Sequence, residues 1–312
     1  MVTLSFVIPC YGSEASLEGV VAEIISTVRS RQGYDYEIVL VNDASPDGVY
    51  GVIEALAVKD PKIKGICLAK NFGQHSALMT GFRHTTGDIV VVLDDDGQTP
   101  AEELFALVDK VEEGYDLVFA KYYKKQHNYF RNLGSKLNDF MAEKLVGKPK
   151  GLAIMSYFAA RSFVVEEARN YRNSYPYIYG ILLRSTNRVA NVMIHHRERA
   201  IGASTYTFSK LVSLWLNGFT AFSVLPLRFA TLVGTLTAFL GFLYGIWVIL
   251  ERILFMDKNV GYASLMAGIL FIGGMVMLML GMVGEYIGRI YMSINNAPQS
   301  VIRSTVNIEE KK

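Results

Sequence analysis

The stretch Gly87-Asp88-Ile89-Val90-Val91-Val92-Leu93-Asp94-Asp95-Asp96-Gly97-Gln98-Thr99-Pro100 decides how the rest of the chain is read. Ile89 to Leu93 is an unbroken, largely β-branched apolar run, the pattern of a strand buried on both faces of a parallel sheet. Three aspartates follow at its C-terminal end, then Gln98 and a proline suited to the first turn of a helix. Open α/β sheets bind ligands beyond the carboxyl ends of their strands. Carboxylates and an amide oxygen gathered there are hard oxygen donors, suited to Mg²⁺ or Mn²⁺ carrying a phosphate-bearing substrate. The plainer alternative is a solvated acidic turn that caps the next helix, but a cap needs only one aspartate.

Outward from this stretch the chain alternates strand and helix. Apolar runs at Leu4–Pro9, Glu37–Asp43, Ile63–Ala69 and Asp116–Ala120 predict strands, and helices are expected at about Ser16–Ser30, His75–Thr85 and Ala101–Glu113. The rhythm favours a mostly parallel, doubly wound sheet. The first turn, Cys10-Tyr11-Gly12-Ser13-Glu14-Ala15-Ser16, has no G-x-G-x-x-G, which argues against a dinucleotide-binding fold. Gly151 to Ala160 is an apolar segment with a helix expected from Arg161, and Arg188 to Arg199 predicts a long strand.

At 312 residues the chain can hold one large domain and an appendage, and its 51% hydrophobic content is high for a soluble protein. The net charge of +2 leaves no global basic field, so nucleic acid is not an expected partner. Cys10 and Cys67 lie in strand-like runs and read as buried thiols of a reducing compartment. No signal peptide is evident, so the first domain is expected in the cytosol.

Between residues 121 and 150 lysines punctuate a stretch that reads as helical from about Asn128 to Val146. Arg131 and Ser135 are four apart there, on one helical face where both can grip one anion. Phe208 to Phe219 has the broad apolar face of a helix lying in a bilayer interface. Phe229 to Leu250 and Asn259 to Gly284 carry no charge and are long enough to span a membrane, joined by a short link. Arg228, Arg289, Arg303, Lys311 and Lys312 flank the hairpin outside, which puts both ends in the cytosol. The expected division is a catalytic domain over 1–206 and an interfacial segment over 207–228. Two spans follow within 229–291, at about 229–252 and 260–284, and then a cytosolic tail over 292–312.

Eight segments then carry a resemblance: V-I-P-C-Y-G-S-E at 7–14, V-N-D-A-S-P-D at 41–47, N-F-G-Q-H-S-A-L at 71–78 and D-D-D-G-Q-T-P at 94–100. The others are F-R-N-L-G-S-K at 130–136, R-A-I-G-A-S-T-Y at 199–206, F-S-V-L-P-L-R at 222–228 and G-E-Y-I-G-R-I-Y at 284–291. In this order, and with a membrane hairpin, they make the chain resemble a family 2 glycosyltransferase of GT-A fold. The similarity is to polyprenyl-phosphate glycosyltransferases, such as dolichyl-phosphate mannose synthases and bacterial undecaprenyl-phosphate sugar transferases. The resemblance implies an α/β catalytic domain with a Rossmann-like sheet, followed by an interfacial helix and a two-helix transmembrane hairpin in the plasma (inner) membrane.

It also implies roles for particular residues. Pro9, Tyr11, Glu14, Asp43, Asp94 and Asp95 would line the donor nucleotide site. Asp94 and Asp96 form the D-x-D pair, and with Gln98 they would hold Mg²⁺ or Mn²⁺. Lys121, Arg131 and Ser135 would hold the acceptor phosphate, while Arg199 and Ser204 would close over the donor diphosphate. Asp94, Asp96, Arg131 and Arg199 make up the catalytic set. The implied partners are a UDP- or GDP-sugar, a polyprenyl phosphate and membrane lipid, and a homo-oligomer is expected. The chain departs from the family at Asp95, Gly97 and Thr99, at Lys121 and Thr205, and at Ile154 to Phe158, where an aspartate found in many relatives is missing.

That missing acid is chemically tolerable. A sugar hydroxyl acceptor needs a general base, whereas a phosphate monoester with a second pKa of roughly 6 is already an oxyanion at neutral pH. The implied reaction is an inverting displacement at the anomeric carbon. Two rivals remain: a processive polysaccharide synthase on the same domain, and a non-catalytic membrane-anchored binding protein. Neither Trp215 nor Trp247 follows an arginine, so the Q-x-x-R-W motif of the first rival is absent, and the retained D-x-D disfavours the second.

Overall fold

The four apolar runs nearest the acidic stretch do form strands. They are β1 (Val2–Cys10), β2 (Tyr34–Asn42), β3 (Ile63–Leu68) and β4 (Ile89–Val92), and β1 pairs in parallel with β2 and β4, and β2 with β3. The computed structural model describes residues 1–122, 148–173, 176–195, 225–254, 261–295 and 298–308. The connecting helices are α1 (Leu17–Arg29), α2 (Val49–Lys59), α3 (Gln74–Phe82) and α4 (Leu104–Glu112); α1, α3 and α4 lie close to the expected bounds, whereas α2 is not among the helices expected from the sequence. In α1 the buried residues Leu17, Val20, Val21, Ile24 and Val28 recur at helical spacing and face the sheet.

Beyond β4 come β5 (Leu117–Tyr122), β6 (Phe158–Arg161), α5 (Ser162–Asn170), α6 (Ile178–Ser185) and β7 (Val189–Ile194). The final strand is β8 (Ile302–Val306), and the eight-stranded sheet has the order β7-β5-β6-β4-β1-β2-β3-β8. β6 runs antiparallel between β4 and β5, and β8 runs antiparallel along β3, so the sheet is mixed but mostly parallel. Neither antiparallel strand is expected from the sequence: Gly151 to Ala160 reads only as an apolar segment, and the residues after the second span read as a tail.

The chain divides into two compact units, Met1–Phe208 with Asn296–Lys312, and Ser209–Asn295. The second unit contains α7 (Leu225–Leu254) and α8 (Tyr262–Ile294). Within them Ala230–Trp247 and Phe271–Gly288 have mean hydropathies of 1.5 and 1.6, and neither window is buried within the structure. Side chains such as Phe242 (67% exposed) and Trp247 (66% exposed) therefore face outward along helices long enough to span a bilayer. The expected helix at 128–146 and the interfacial segment up to residue 224 lie outside the described residues, as do residues 196–199 of the expected long strand.

Candidate active site

Because β1, β2, β3 and β4 are parallel, their C-terminal ends share one edge, and the loops after them meet there. Pairing of β1 with β4 stops at Val7, so Pro9 lies beyond it, where the missing N–H deprives β4 of nothing. The loop after Cys10 is then tied to its neighbours. Tyr11 N–H donates to Asp95 Oδ2 (2.9 Å), Gly12 N–H to Ser45 Oγ (2.8 Å) and Glu14 N–H to Asp47 Oδ2 (2.9 Å). Glu14 Oε2 in turn accepts from Gly48 N–H (2.9 Å). Tyr11 keeps its ring 54% exposed at this edge.

Asp43, at the end of β2, is buried, and its two carboxylate oxygens accept from Phe72 N–H (2.7 Å) and Gly73 N–H (2.8 Å). Burial raises its pKa despite those two donors. Gly73 has φ +88°, a left-handed conformation that favours glycine, and it delivers the chain into α3. Asp43 thus fixes the loop that carries Gln74 to the acidic stretch.

The three aspartates diverge. Asp94 Oδ2 accepts from Ser156 Oγ (2.5 Å) and Oδ1 from Gln74 Nε2 (3.2 Å). Its pKa is raised by burial first, with the Asp96 charge adding to the shift, so the Asp94 and Asp96 carboxylates are close enough to repel. Asp95 bonds the first loop instead: its Oδ2 accepts from Tyr11 N–H, and its carbonyl accepts from Ser16 Oγ (2.7 Å). Burial pushes Asp95 up to about 6. Asp96 Oδ1 accepts from Gln98 N–H (3.0 Å) across Gly97, whose φ of +73° explains a glycine in this turn.

Lys121 sits half-buried at the end of β5, and Tyr122 beside it senses both the Asp94 and Asp96 charges and bonds the Thr99 side chain. Pro9, Tyr11, Glu14, Asp43, Asp94, Asp95, Asp96, Gln98 and Lys121 thus belong to the loops and strand ends along this edge. Arg131, Ser135, Arg199 and Ser204 lie outside the described residues. Gln74, Tyr122 and Ser156 have no role assigned from the sequence. Gln74 stands inside one of the eight family-like segments, but Ser156 gives no signal except the departure around it.

Among the described residues no three His, Cys, Asp or Glu side chains group as a metal cage. The oxygen donors that this edge does offer are Asp94, Asp96 and Gln98. Mg²⁺-type ions are commonly held in this manner, by one or two carboxylates with substrate phosphates and water filling the other positions. A cation there would also relieve the repulsion between Asp94 and Asp96.

Residues 5–169 match the family "Glycosyl transferase family 2", and residues 225–290 match "GtrB C-terminal hairpin". A "Bactoprenol glucosyl transferase" of Shigella phage SfX is 34% identical over 310 residues, 96% of this chain and 99% of that protein. A "Prophage bactoprenol glucosyl transferase homolog" of Escherichia coli (strain K12) is 33% identical over 309 residues, 96% of this chain and 98% of that one. Among solved structures, glucosyl-3-phosphoglycerate synthase from Mycobacterium tuberculosis, in complex with Mn²⁺, UDP and phosphoglyceric acid, aligns with TM-score 0.53 and 20% identity. That alignment covers 70% of this chain and 76% of the synthase. Mannosyl-3-phosphoglycerate synthase from Rubrobacter xylanophilus aligns with TM-score 0.51 and 20% identity, over 73% of this chain and 74% of that one. These two likenesses speak to the fold alone.

Proposed function

This chain belongs to glycosyltransferase family 2 and carries the GtrB C-terminal hairpin, and on that premise we propose that it transfers a sugar from a nucleotide-sugar to a polyprenyl phosphate at a membrane. One observation carries the reading. A single chain joins an acidic cluster at the C-terminal edge of a parallel sheet to two unburied helices of bilayer length. Relatives named bactoprenol glucosyl transferases, similar over nearly the whole length, make undecaprenyl phosphate the first acceptor and UDP-glucose the first donor to test.

We infer the division of labour from the family resemblance, and the contacts along the sheet edge support it for the described residues. Tyr11, Glu14 and Asp43 shape the donor nucleotide pocket, with Asp43 acting through the loop it holds and Asp95 through its bond to Tyr11. Asp94, Asp96 and Gln98 would hold a divalent cation, which when bound offsets the charge of the diphosphate and so favours its departure. Lys121, with Arg131 and Ser135, receives the acceptor phosphate, and Arg199 with Ser204 closes over the diphosphate. The acceptor oxyanion needs no general base, so the protein's task is to align it with the anomeric carbon and offset its repulsion from the donor.

Connectivity supports the topology. β3 precedes both long helices and β8 follows them, yet the two strands pair in one sheet. If α7 and α8 each cross the bilayer, an even number of crossings returns the chain to the side it left. The arginines and lysines outside the hairpin make that side the cytosol.

The test incubates the detergent-solubilised full chain with radiolabelled nucleotide-sugars, undecaprenyl phosphate and Mn²⁺ or Mg²⁺, then extracts the lipid. Label should enter the lipid from one donor, and Asp96→Asn should cut turnover about a hundredfold or more, roughly the loss of a charged contact in the transition state. No labelled lipid from any donor, or full turnover by Asp96→Asn at limiting metal, would overturn the proposal.

A further inference from the structure

The β4–β6 register pairs Ile89 with Arg161 and Val92 with Phe158, antiparallel. Continued two residues past the end of β4, it sets Ser156 opposite Asp94, and there the serine hydroxyl meets Asp94 Oδ2 at 2.5 Å. The other carboxylate oxygen is taken by Gln74 Nε2 at 3.2 Å, from the start of α3. Two elements on different sides of β4 therefore each occupy one oxygen of the same side chain.

We propose that Ser156 is a positioning residue: by donating to Oδ2 while Gln74 donates to Oδ1, it sets the plane of the Asp94 carboxylate toward Asp96. The inference deepens the function proposed above and rests on it. An aspartate's terminal torsion has broad preferences rather than sharp staggered wells, so its plane is set mainly by its hydrogen bonds. An ionised carboxylate offers about four lone-pair sites. With one engaged on each oxygen by the protein, the remaining ones are left in a defined direction for a cation or a donor hydroxyl. Catalytic groups must be held to within a fraction of an ångström, which one donor on one oxygen does not ensure.

The experiment uses the full chain in detergent, with Mn²⁺ alone and Mn²⁺ with UDP as probes, binding read from the free Mn²⁺ spin-resonance signal. Ser156→Ala should weaken Mn²⁺–UDP binding and raise the donor KM by about ten- to a hundredfold, the range for a hydrogen bond to a charged group. The KM for undecaprenyl phosphate and the thermal midpoint should hold. Ser156→Thr, which keeps the hydroxyl, should recover most of the binding, as a purely structural role for the serine would not require. If Ser156→Ala binds like the wild type while Asp94→Asn loses binding, the serine is not a positioning residue and the proposed function stands. If Asp94→Asn also binds like the wild type, the donor-site reading fails and this inference with it. Equal loss in Ser156→Ala and Ser156→Thr, with a lowered thermal midpoint in both, would assign the serine to packing and overturn the inference.

Discussion

Glu37 carries a charge into the sheet at the edge opposite the acidic stretch. It is 7% exposed, opposite Ser5 in the β1–β2 register, and its carboxylate accepts from Ser5 Oγ (2.5 Å), Gly87 N–H (3.1 Å), Thr86 N–H and Lys64 Nζ (2.6 Å). Burial pulls its pKa up, but Lys64, Ser5 and Thr86 more than offset that, and the net shift is downward. A folded pKa below the unfolded one means that Glu37 stabilises the fold above its ordinary range. That contribution is lost as pH falls through about 4.5, the unfolded value, into the depressed folded value. Glu37→Ala should therefore cost about 3 kcal/mol at pH 7, the low end for breaking a buried pair because Lys64 keeps some exposure. The gap from wild type in thermal or denaturant unfolding should narrow steadily as pH falls below about 4.5. A gap independent of pH would assign the loss to packing rather than charge. Nothing local in Tyr34–Asn42 marks Glu37 as buried, since its donors come from β1, β3 and the loop before β4.

Gly65 shows how closely the elements approach one another. A Cβ there would lie 2.5 Å from Ile53 Cγ2 on α2 and 2.5 Å from Val306 Cγ1 on β8. Both contacts are branched side chains wedged against the same strand, so neither can swing clear. Gly65→Ala is expected to destabilise by about 1–3 kcal/mol, the usual cost of overpacking. Gly19, on α1, supplies the contrast, because a methyl added there would meet nothing within 4 Å. Gly19→Ala should stabilise by about 0.5–1 kcal/mol through helix propensity. Thermal midpoints of the two variants should move in opposite directions, and a neutral Gly65→Ala would show that β8 yields. The same packing explains why β6 cannot be read from the sequence. Phe158, Ala159 and Ala160 do not alternate and are buried because β4 and β5 flank them, and a run that short has no periodicity to read.

The catalytic unit is closed by residues that follow the two long helices. Beyond β8 itself, Gln299 Oε1 accepts from Arg83 Nη2 (2.6 Å), and Gln299 Nε2 donates to the carbonyls of Tyr171 (2.9 Å) and Asn173 (2.7 Å). Ser300 meets Thr80 (2.6 Å), and Asn307 Nδ2 donates to the carbonyls of Ala57 (2.6 Å) and Ile63 (2.9 Å). Truncation after Phe208 would strip β3 of its outer partner β8 and leave an open sheet edge, a template for aggregation. A protein of residues 1–208 is expected to aggregate or melt well below the full chain. Residues 1–208 joined through a flexible linker to 298–308 should recover a monodisperse, cooperatively unfolding unit. Equal stability of the two, by light scattering and thermal unfolding, would show β8 to be dispensable.

The local chemistry of the chain determined much by itself. β-branched and apolar runs specified β1 to β5, charge-free runs of bilayer length specified α7 and α8, and the consecutive acids marked the end of β4 as the candidate site. These are signals of composition and short period, carried by neighbours in sequence. Only the tertiary structure decided the antiparallel entry of β6, the return of β8 to β3, and how Asp43, Asp94 and Asp95 spend their oxygens. Ser156 lies 62 residues from Asp94, and Thr80 lies 220 from Ser300. Such partners are chosen by strand register across long chain closures, where a shift of one residue exchanges the faces of a strand. The pattern of a single strand carries no record of which residue will stand opposite.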